Sequence, residues 1–396
     1  MTAVTRAGIV DRCTALFEDV ALGVVRAWKD ARPGRRAIGH LPVYAPRELV
    51  HAAGMLPVGL SGGGDRVDIV RGDAFVQSYV CHLPRSVLEL GLSGRLDVLD
   101  GMLFPATCDV LRNLSGMWQI LFPGRFVRYL DLPQNMDPAV AQPFWRGELA
   151  ALRDGLAVLA GAPPATDAAV AESMRVYAAV RALVARLDAL RVARPEAVPL
   201  VEHYLVLRAG DVLPVEDHAE LLHDYLACAE AGAALALDNA RVVVVGAFCE
   251  QPPVGLLRAL EKSGLYVVDD DLTLGHRWLH AAPGGNGAAG DGDPLDALAR
   301  AYLERSVTTA ARYEPDGRRG ERLVERVRAV RADGVVFCAP SFCDPALLDR
   351  PLLTGALERA GVPAMFLQYS ENSGDLHAIR EQAGTFSDSI KLWSHP

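Results

Sequence analysis

Apolar positions along the chain gather into short unbroken runs, and stretches of helical period separate one run from the next. AIGHLPVY from Ala37, LPVGLS (56–61), GMLFPATCD (101–109) and FVRYLDLP (126–133) each begin as a strand-sized run, and PRELVHAAGM between the first two has helical spacing. Unbroken apolar runs suit strands buried on both faces, and their alternation with helices predicts a doubly wound parallel sheet. From about Phe144 to Leu235 the pattern turns helical almost throughout, as in MRVYAAVRALVARLDALR and VEDHAELLHDYLACAEAG. RVVVVGAFCEQPP (241–253) then opens a second series. The helix VGLLRALEKSG, the strand LYVVDDD, the strand in GVVFCAPSFCD, the strand in PAMFLQYSEN (363–372) and a closing helix DLHAIREQAGTF follow.

The expectation is an α/β chain of two Rossmann- or flavodoxin-like units, similar in architecture, with a helical region between them. Residues 1–35 are read as an N-terminal helix, amphipathic over 3–30 and packed on the outside of the first unit. The first unit spans 36–143, the helical region 144–236 and the second unit 237–396. PGGNGAAGDGD (283–293) is expected to be a Gly-rich surface excursion.

Within these series one turn occurs twice. Gly334-Val-Val-Phe runs as a strand into a loop holding Cys338 and Cys343, and Asp344-Pro345 starts a helix. Upstream, GMLFPATCD repeats the order of strand, proline and Cys-Asp at Cys108 and Asp109. Such turns lie at the edge of an open sheet where ligands bind, and helix N-termini stabilise thiolates. Cys81, in SYVCHLPRSVLELG, also stands just ahead of a helix. Their spacing matches neither the clustered cysteines of ferredoxins nor the paired C-x-x-C of zinc modules, so two readings stand: a metal or iron–sulfur site, or buried structural thiols. Cys249 and Cys338 are near neighbours by topology, read as lying in loops at strand ends, and Cys228 reads as core filler. His40, His82, Asp109, Glu250, Glu371 and His377 are acid–base candidates near the thiol loops, and surface or capping roles suit them as well; Asp109 in particular could cap its helix.

Charge and motifs narrow the function. A net charge of −9 with no basic stripe removes the main driving force for nucleic-acid binding. No apolar run approaches a membrane span, and the first residues lack the plan of a secretory signal. Seven scattered cysteines argue against a disulfide framework and for a reducing cytoplasm. Gly62-Gly63-Gly64 lacks the companions of a phosphate loop, and H-E-x-x-H and Walker A patterns are missing, so any ATP hydrolysis must come from another polypeptide.

GHLPVYAPRELVHAAGMLPVG, followed by Cys81, by TCD at 107–109 and by FCD at 342–344, resembles the 2-hydroxyglutaryl-CoA dehydratase D-component family, from about Ile38 to Trp393. RGDAFVQSYVCHLPRS (71–86), LSGMWQ (114–119) and FCEQPP (248–253) look most like the branch holding the C, or gamma, subunit of ATP-dependent benzoyl-CoA reductase. The resemblance implies a [4Fe–4S] cluster on Cys81, Cys108 and Cys343, leaving one iron without a protein cysteine. It also implies a sister B-type subunit, an ATP-hydrolysing activator, reduced ferredoxin as electron source and benzoyl-CoA as substrate, its ring taking two electrons and two protons to give a cyclohexadienoyl-CoA. Cys249 and Cys338 are then expected beside the cluster without holding it. A 2-hydroxyacyl-CoA dehydratase subunit, or a metal-free binding or scaffold subunit with inert thiols, are the alternatives.

Overall fold

The computed structural model describes residues 5–280, 292–312, 314, 316–370 and 376–393. Most of the expected Gly-rich excursion, and Glu371, lie outside the described residues.

The chain begins with α1 (Arg6–Glu18) and α2 (Gly23–Asp30). The single helix expected over 3–30 is thus two, because the Asp19 carboxylate turns back to accept the Ala21 and Gly23 amides at 3.1 and 2.6 Å. A side chain that takes backbone donors in this way ends one helix and caps the next. The two halves also part company in packing. Ile9 and Cys13 of α1 enter a core formed with the middle helices, whereas Lys29 of α2 reaches Asp100 of the first unit at 2.7 Å.

The first unit follows as β1 (Ala37–His40), α3 (Arg47–Ala52), β2 (Leu56–Gly59), α4 (His82–Leu92), β3 (Gly101–Pro105), α5 (Asp109–Leu121) and β4 (Phe126–Leu130). Four helices occupy the middle: α6 (Pro138–Ala160), α7 (Asp167–Ala193), α8 (Leu200–Ala209) and α9 (Val215–Ala231). The second unit is β5 (Ala240–Val245), α10 (Val254–Lys262), β6 (Leu265–Asp270), α11 (Leu274–Arg277), α12 (Pro294–Arg305), α13 (Arg319–Ala329), β7 (Gly334–Pro340), α14 (Asp344–Arg359), β8 (Ala364–Tyr369) and α15 (His377–Trp393).

Each unit holds one four-stranded sheet, parallel throughout, in the orders β2-β1-β3-β4 and β6-β5-β7-β8. The two orders are the same when each is counted from its own first strand. Central strands β1, β3 and β7 are buried along their whole length, as their unbroken apolar sequences require. Strand alternation then sorts side chains between faces. Met102 and Phe104 of β3 join α4 and α5 on one side, and Leu103 joins α3 and α6 on the other. In the second sheet Val335 and Phe337 face α13 and α14, while Val336 and Cys338 face the opposite layer.

The two units meet through an aromatic knot. Tyr44, from the loop after β1, packs edge-on to Trp278 and Tyr302 with centroids 5.8 and 5.5 Å apart, and its hydroxyl donates to the Val307 carbonyl at 3.0 Å. Trp145 of α6 packs against Tyr302 of α12 at 5.4 Å. This knot belongs to one apolar core that also contains Ala339 and Cys343, so the ends of β1 and β7 are held together from behind.

Candidate metal centre

Cys81, Cys108 and Cys343 are each the N-cap residue of a helix: α4, α5 and α14 respectively. The local sequence explains this. Pro105 and Pro340 end their strands, and an Asp follows Cys108 and Cys343 in the first helical turn, where negative charge suits the helix dipole. Burial raises the Cys108 and Cys343 thiols, and the nearby amides of Leu111 and Val110 at Cys108 and of Ala346 at Cys343 push the other way, towards the thiolate, the form that binds metal.

The strand order brings the thiols together. In a sheet of order 2-1-3-4 the crevice opens between the first and third strands, at their C-terminal ends. Cys108 stands at the end of β3 in the first sheet, and Cys343 at the end of β7 in the second. Cys249, in the loop after β5, is a fourth member: with Cys81 it packs against the core that contains Cys343, and with Cys108 against the core of the first sheet. The electrostatics agree with this placement. Burial pushes the Cys81 thiol up, and Glu250, Cys343 and Cys108 push it further. Burial raises Cys343 to about 12, with Cys108 and Glu250 adding to the effect. Cys249 is raised well above its ordinary value by burial and then by Cys343, Cys108 and Cys81. Four thiols that oppose one another's ionisation need an added positive charge before they can act as thiolates, and iron supplies one.

Among the described residues no three His, Cys, Asp or Glu side chains converge tightly enough to chelate a single metal ion. A cubane asks for something different, since each thiolate takes its own iron and the sulfurs stay apart. Donors that are all thiols, three of them on helix N-termini, at a buried junction fit such a cluster. One orphaned polar atom also fits. The Thr107 hydroxyl is buried, sits beside the Cys249 sulfur and has no oxygen or nitrogen partner, a donor in want of a strong acceptor.

Glu250 is among the acid–base candidates, and its position gives it another role. It is 1% exposed, and its Oε2 accepts the His82 amide at 2.8 Å and the Leu83 amide at 3.3 Å. A carboxylate of the second unit therefore caps the helix that starts at Cys81 in the first. Tyr369, from the end of β8, donates to the Glu250 carbonyl at 2.6 Å and fixes it from the far side. Asp109 opens α5 as its first residue, with Cys108 as the cap. His82 opens α4 and is buried there, whereas His377 opens α15, a helix packed on α10.

Cys338 departs from the expectation that it lies in a loop beside the thiols. It lies within β7, paired with Leu367, and its side chain joins the core on the face away from Cys343. β7 continues through Pro340, so the proline that reads as a strand breaker is the strand's last residue. Burial alone raises the Cys338 thiol, to about 12.

His40, at the end of β1, belongs to a buried polar network that the sequence did not reveal. His276 donates through Nε2 to Asp211 at 2.7 Å and accepts the Arg47 guanidinium on Nδ1 at 2.8 Å, which fixes its neutral tautomer. Arg208 donates to the other Asp211 oxygen at 2.8 Å. Burial, then Arg47, pushes His40 down to about 4, and burial, then His276, pushes His218 down to about 3. Unfolded histidine binds its proton near pH 6.5, so in both cases the unfolded state takes a proton that the folded state refuses. Stability is therefore full above that pH and falls as pH drops towards the folded values. Two such residues should cost roughly 5 kcal/mol between pH 6.5 and about 4.5. Urea unfolding at successive pH values measures this, and His40→Asn should remove about half of the slope. A flat stability profile across the window would contradict the buried neutral state of both residues.

A cleft of about 920 Å³ opens at the C-terminal edge of β5, β6 and β7 and reaches Ala339 and Ala346, which flank Cys343. Arginines line it, but carboxylates hold several of them: Asp349 pairs with Arg319 at 2.8 Å, Glu314 with Arg322, and Asp269 and Asp271 with Arg326. It is a charge-balanced crevice and offers no concentrated positive field for a polyphosphate.

Among the described residues no helix is long and apolar enough to cross a membrane, and all seven cysteines are free of disulfides. The chain is 51% identical over 98% of its length to the benzoyl-CoA reductase subunit designated C, from Thauera aromatica, covering 99% of that protein. It is 27% identical over 96% of its length to "Lactoyl-CoA dehydratase subunit beta" of Anaerotignum propionicum, covering 99% of it. With "(R)-2-hydroxyglutaryl-CoA dehydratase, subunit beta" of Acidaminococcus fermentans it shares 28% identity over 90% of the chain and 93% of the relative. Residues 42–390, which contain the whole second sheet, three strands of the first and every thiol of the junction, match the family described as 2-hydroxyglutaryl-CoA dehydratase, D-component, and the chain belongs to that family.

Proposed function

We propose that this chain is the iron–sulfur subunit of a complex that reduces benzoyl-CoA, with Cys81, Cys108 and Cys343 holding a [4Fe–4S] cluster. One observation carries the reading. Identity with the chain named as part of a benzoyl-CoA reductase is 51% over almost the whole length, against 25–28% for the three relatives named as dehydratase subunits. When bound, such a cluster takes up and releases single electrons at low potential.

The chain's own residues prepare the site for that task. Three helix N-termini aim partial positive charge at the thiol positions, which stabilises thiolate there. Glu250 and Tyr369 tie the start of α4 to the second unit and so fix the position of Cys81 relative to Cys343. Burial of Cys343, with the apolar cores behind it, keeps bulk water from one side of the junction.

The overall change is the addition of two electrons and two protons to the aromatic ring, giving a cyclohexadienoyl-CoA. The thioester carbonyl conjugated to the ring can delocalise the first electron. This chain lacks a phosphate loop, so an ATP-hydrolysing activator must drive the transfer from ferredoxin, and the catalytic pair is completed by a sister B-type subunit.

Anaerobic co-purification with its sister and activator subunits, followed by an acyl-CoA reduction assay, tests the reading. Benzoyl-CoA should be consumed with a net uptake of about two electrons per ring, and the isolated chain should show no benzoyl-CoA-dependent ATPase activity. Loss of water from a 2-hydroxyacyl-CoA without net electron consumption would point to a dehydratase subunit instead. A colourless, iron-free chain would point to a metal-free scaffold.

A further inference from the structure

We propose that Cys249 supplies a fourth thiolate at the junction, so that the cluster is closed by four cysteines of this chain. The inference rests on the cluster assigned above and adds a ligand to it. A cubane has four irons, each needing a terminal ligand. The fold brings four thiols to one place and sends the other three elsewhere: Cys13 to α1, Cys228 to α9 and Cys338 to the far face of β7.

The loop that carries Cys249 is built for this position. Gly246 has a φ of +106°, and a Cβ there would stand 3.3 Å from the Cys338 carbonyl, so glycine lets the chain leave β5 and fold closely over β7. The next residues are then pinned. Gln251 donates to the Ala247 and Cys249 carbonyls at 3.3 Å each, and its own oxygen accepts the Thr273 amide at 3.3 Å. Glu250 is pinned by α4 and Tyr369, as described above. Cys249 is thus flanked by two buried, fully engaged side chains on a loop with little freedom, which is how a ligand is pre-organised.

Its sulfur is weakly tied, by an S–H donated to the Pro42 carbonyl at 3.8 Å, with the Thr107 hydroxyl beside it. Pro42 lies in the loop after β1, the counterpart of the loop after β5, so the two duplicated loops touch at this thiol. Cys249 packs against both cores that hold the other three thiols, and the Thr107 hydroxyl beside it lacks an oxygen or nitrogen partner. A bound cluster satisfies both: Cys249 gains an iron, and Thr107 gains a charged sulfur acceptor. In binding, Cys249 forms its sulfur–iron bond as the thiol proton passes to the water or hydroxide it displaces, and no electron changes hands. A cluster closed in this way offers no coordination position to an incoming thioester and serves to store and pass electrons.

The test uses the full-length chain loaded anaerobically with iron and sulfide, then oxidised mildly with ferricyanide. An iron without a protein thiolate is released under such treatment, leaving a three-iron cluster with its own paramagnetic signal, whereas a four-thiolate cluster resists. The unsubstituted chain and Cys338→Ala should retain about four irons, and Cys249→Ala should lose about one and show the three-iron signal. Circular dichroism checks that Cys249→Ala is folded, and Cys249→Ser, which keeps the side chain's size but offers iron only a poor alcohol donor, should likewise lose about one iron. Equal conversion of the unsubstituted chain and Cys249→Ala to the three-iron form would overturn the inference while leaving the other three ligands in place. An unsubstituted chain that takes up no iron at all would reject the assigned cluster, and this inference with it.

Discussion

Serine in place of Cys81, Cys108 or Cys343 should lower the iron and sulfide carried by the chain by about tenfold or more, and Cys13→Ser and Cys228→Ser should leave both unchanged. The difference follows from position. The first three are N-cap residues at the ends of strand-to-helix connections that converge on one junction, with helix N-termini behind each sulfur. An alcohol at such a position is a poor donor to iron and binds its proton far more tightly than a thiol. An iron that loses its thiolate is held less tightly, and once it leaves, the remaining buried thiolates lose positive charge that offset their mutual repulsion. Cys13 and Cys228 lie on α1 and α9, packed with Tyr204, Tyr225 and their neighbours, where a serine alters only local packing. Iron and sulfide analysis of anaerobically loaded protein measures the effect. Full cluster content in all three ligand variants would remove the basis for the site.

The elements around this junction were legible because short apolar runs and Pro-Cys-Asp turns are local signals. All eight strands stand where the runs fall, and both Cys-Asp turns lie between a strand and a helix. What brings the thiols together was not local. Nothing in Phe248-Cys249-Glu250 states that Glu250 will cap a helix 168 positions earlier, or that Cys249 will touch the carbonyl of Pro42. Such contacts depend on how two sheets face each other, and a motif search cannot see that. The two errors have the same origin on a smaller scale. Pro340 looked like the end of β7 for Cys338, but a strand tolerates proline at its last position. The helix expected over 3–30 broke because one carboxylate, Asp19, competed for the backbone amides. The histidine network around Asp211 was hidden for a different reason: His40, His218 and His276 lie on separate elements, and each alone reads as an ordinary core or surface residue.

Asp270→Ala should be the most destabilising substitution outside the thiol junction, costing about 3–5 kcal/mol. Asp270 ends β6 with no exposed side-chain surface, and its Oδ2 accepts Arg191 of α7, also without exposed side-chain surface, at 2.5 Å. Its Oδ1 accepts Arg277 at 3.0 Å and the Leu272 amide at 2.8 Å. Burial alone would raise this carboxyl, but Arg191 and Arg277 hold it below the usual carboxylate range. Arg277 also binds Asp188 at 3.1 Å and Asp269 at 3.0 Å, so the network ties α7, the end of β6 and α11 into one block beside the second sheet. Alanine would leave the Arg191 guanidinium buried without its closest counter-charge, and the cost lies mainly in that stranded cation. The double variant Arg191→Met with Asp270→Leu removes both charges and should recover much of the loss, since apolar residues of similar volume can replace a buried pair at little cost. Urea unfolding of the three proteins decides it. If Asp270→Ala unfolds at the same urea concentration as the unsubstituted chain, the pair does not hold the helical region to the second sheet. If the double variant is no more stable than Asp270→Ala, the loss comes from packing and not from the uncompensated charge.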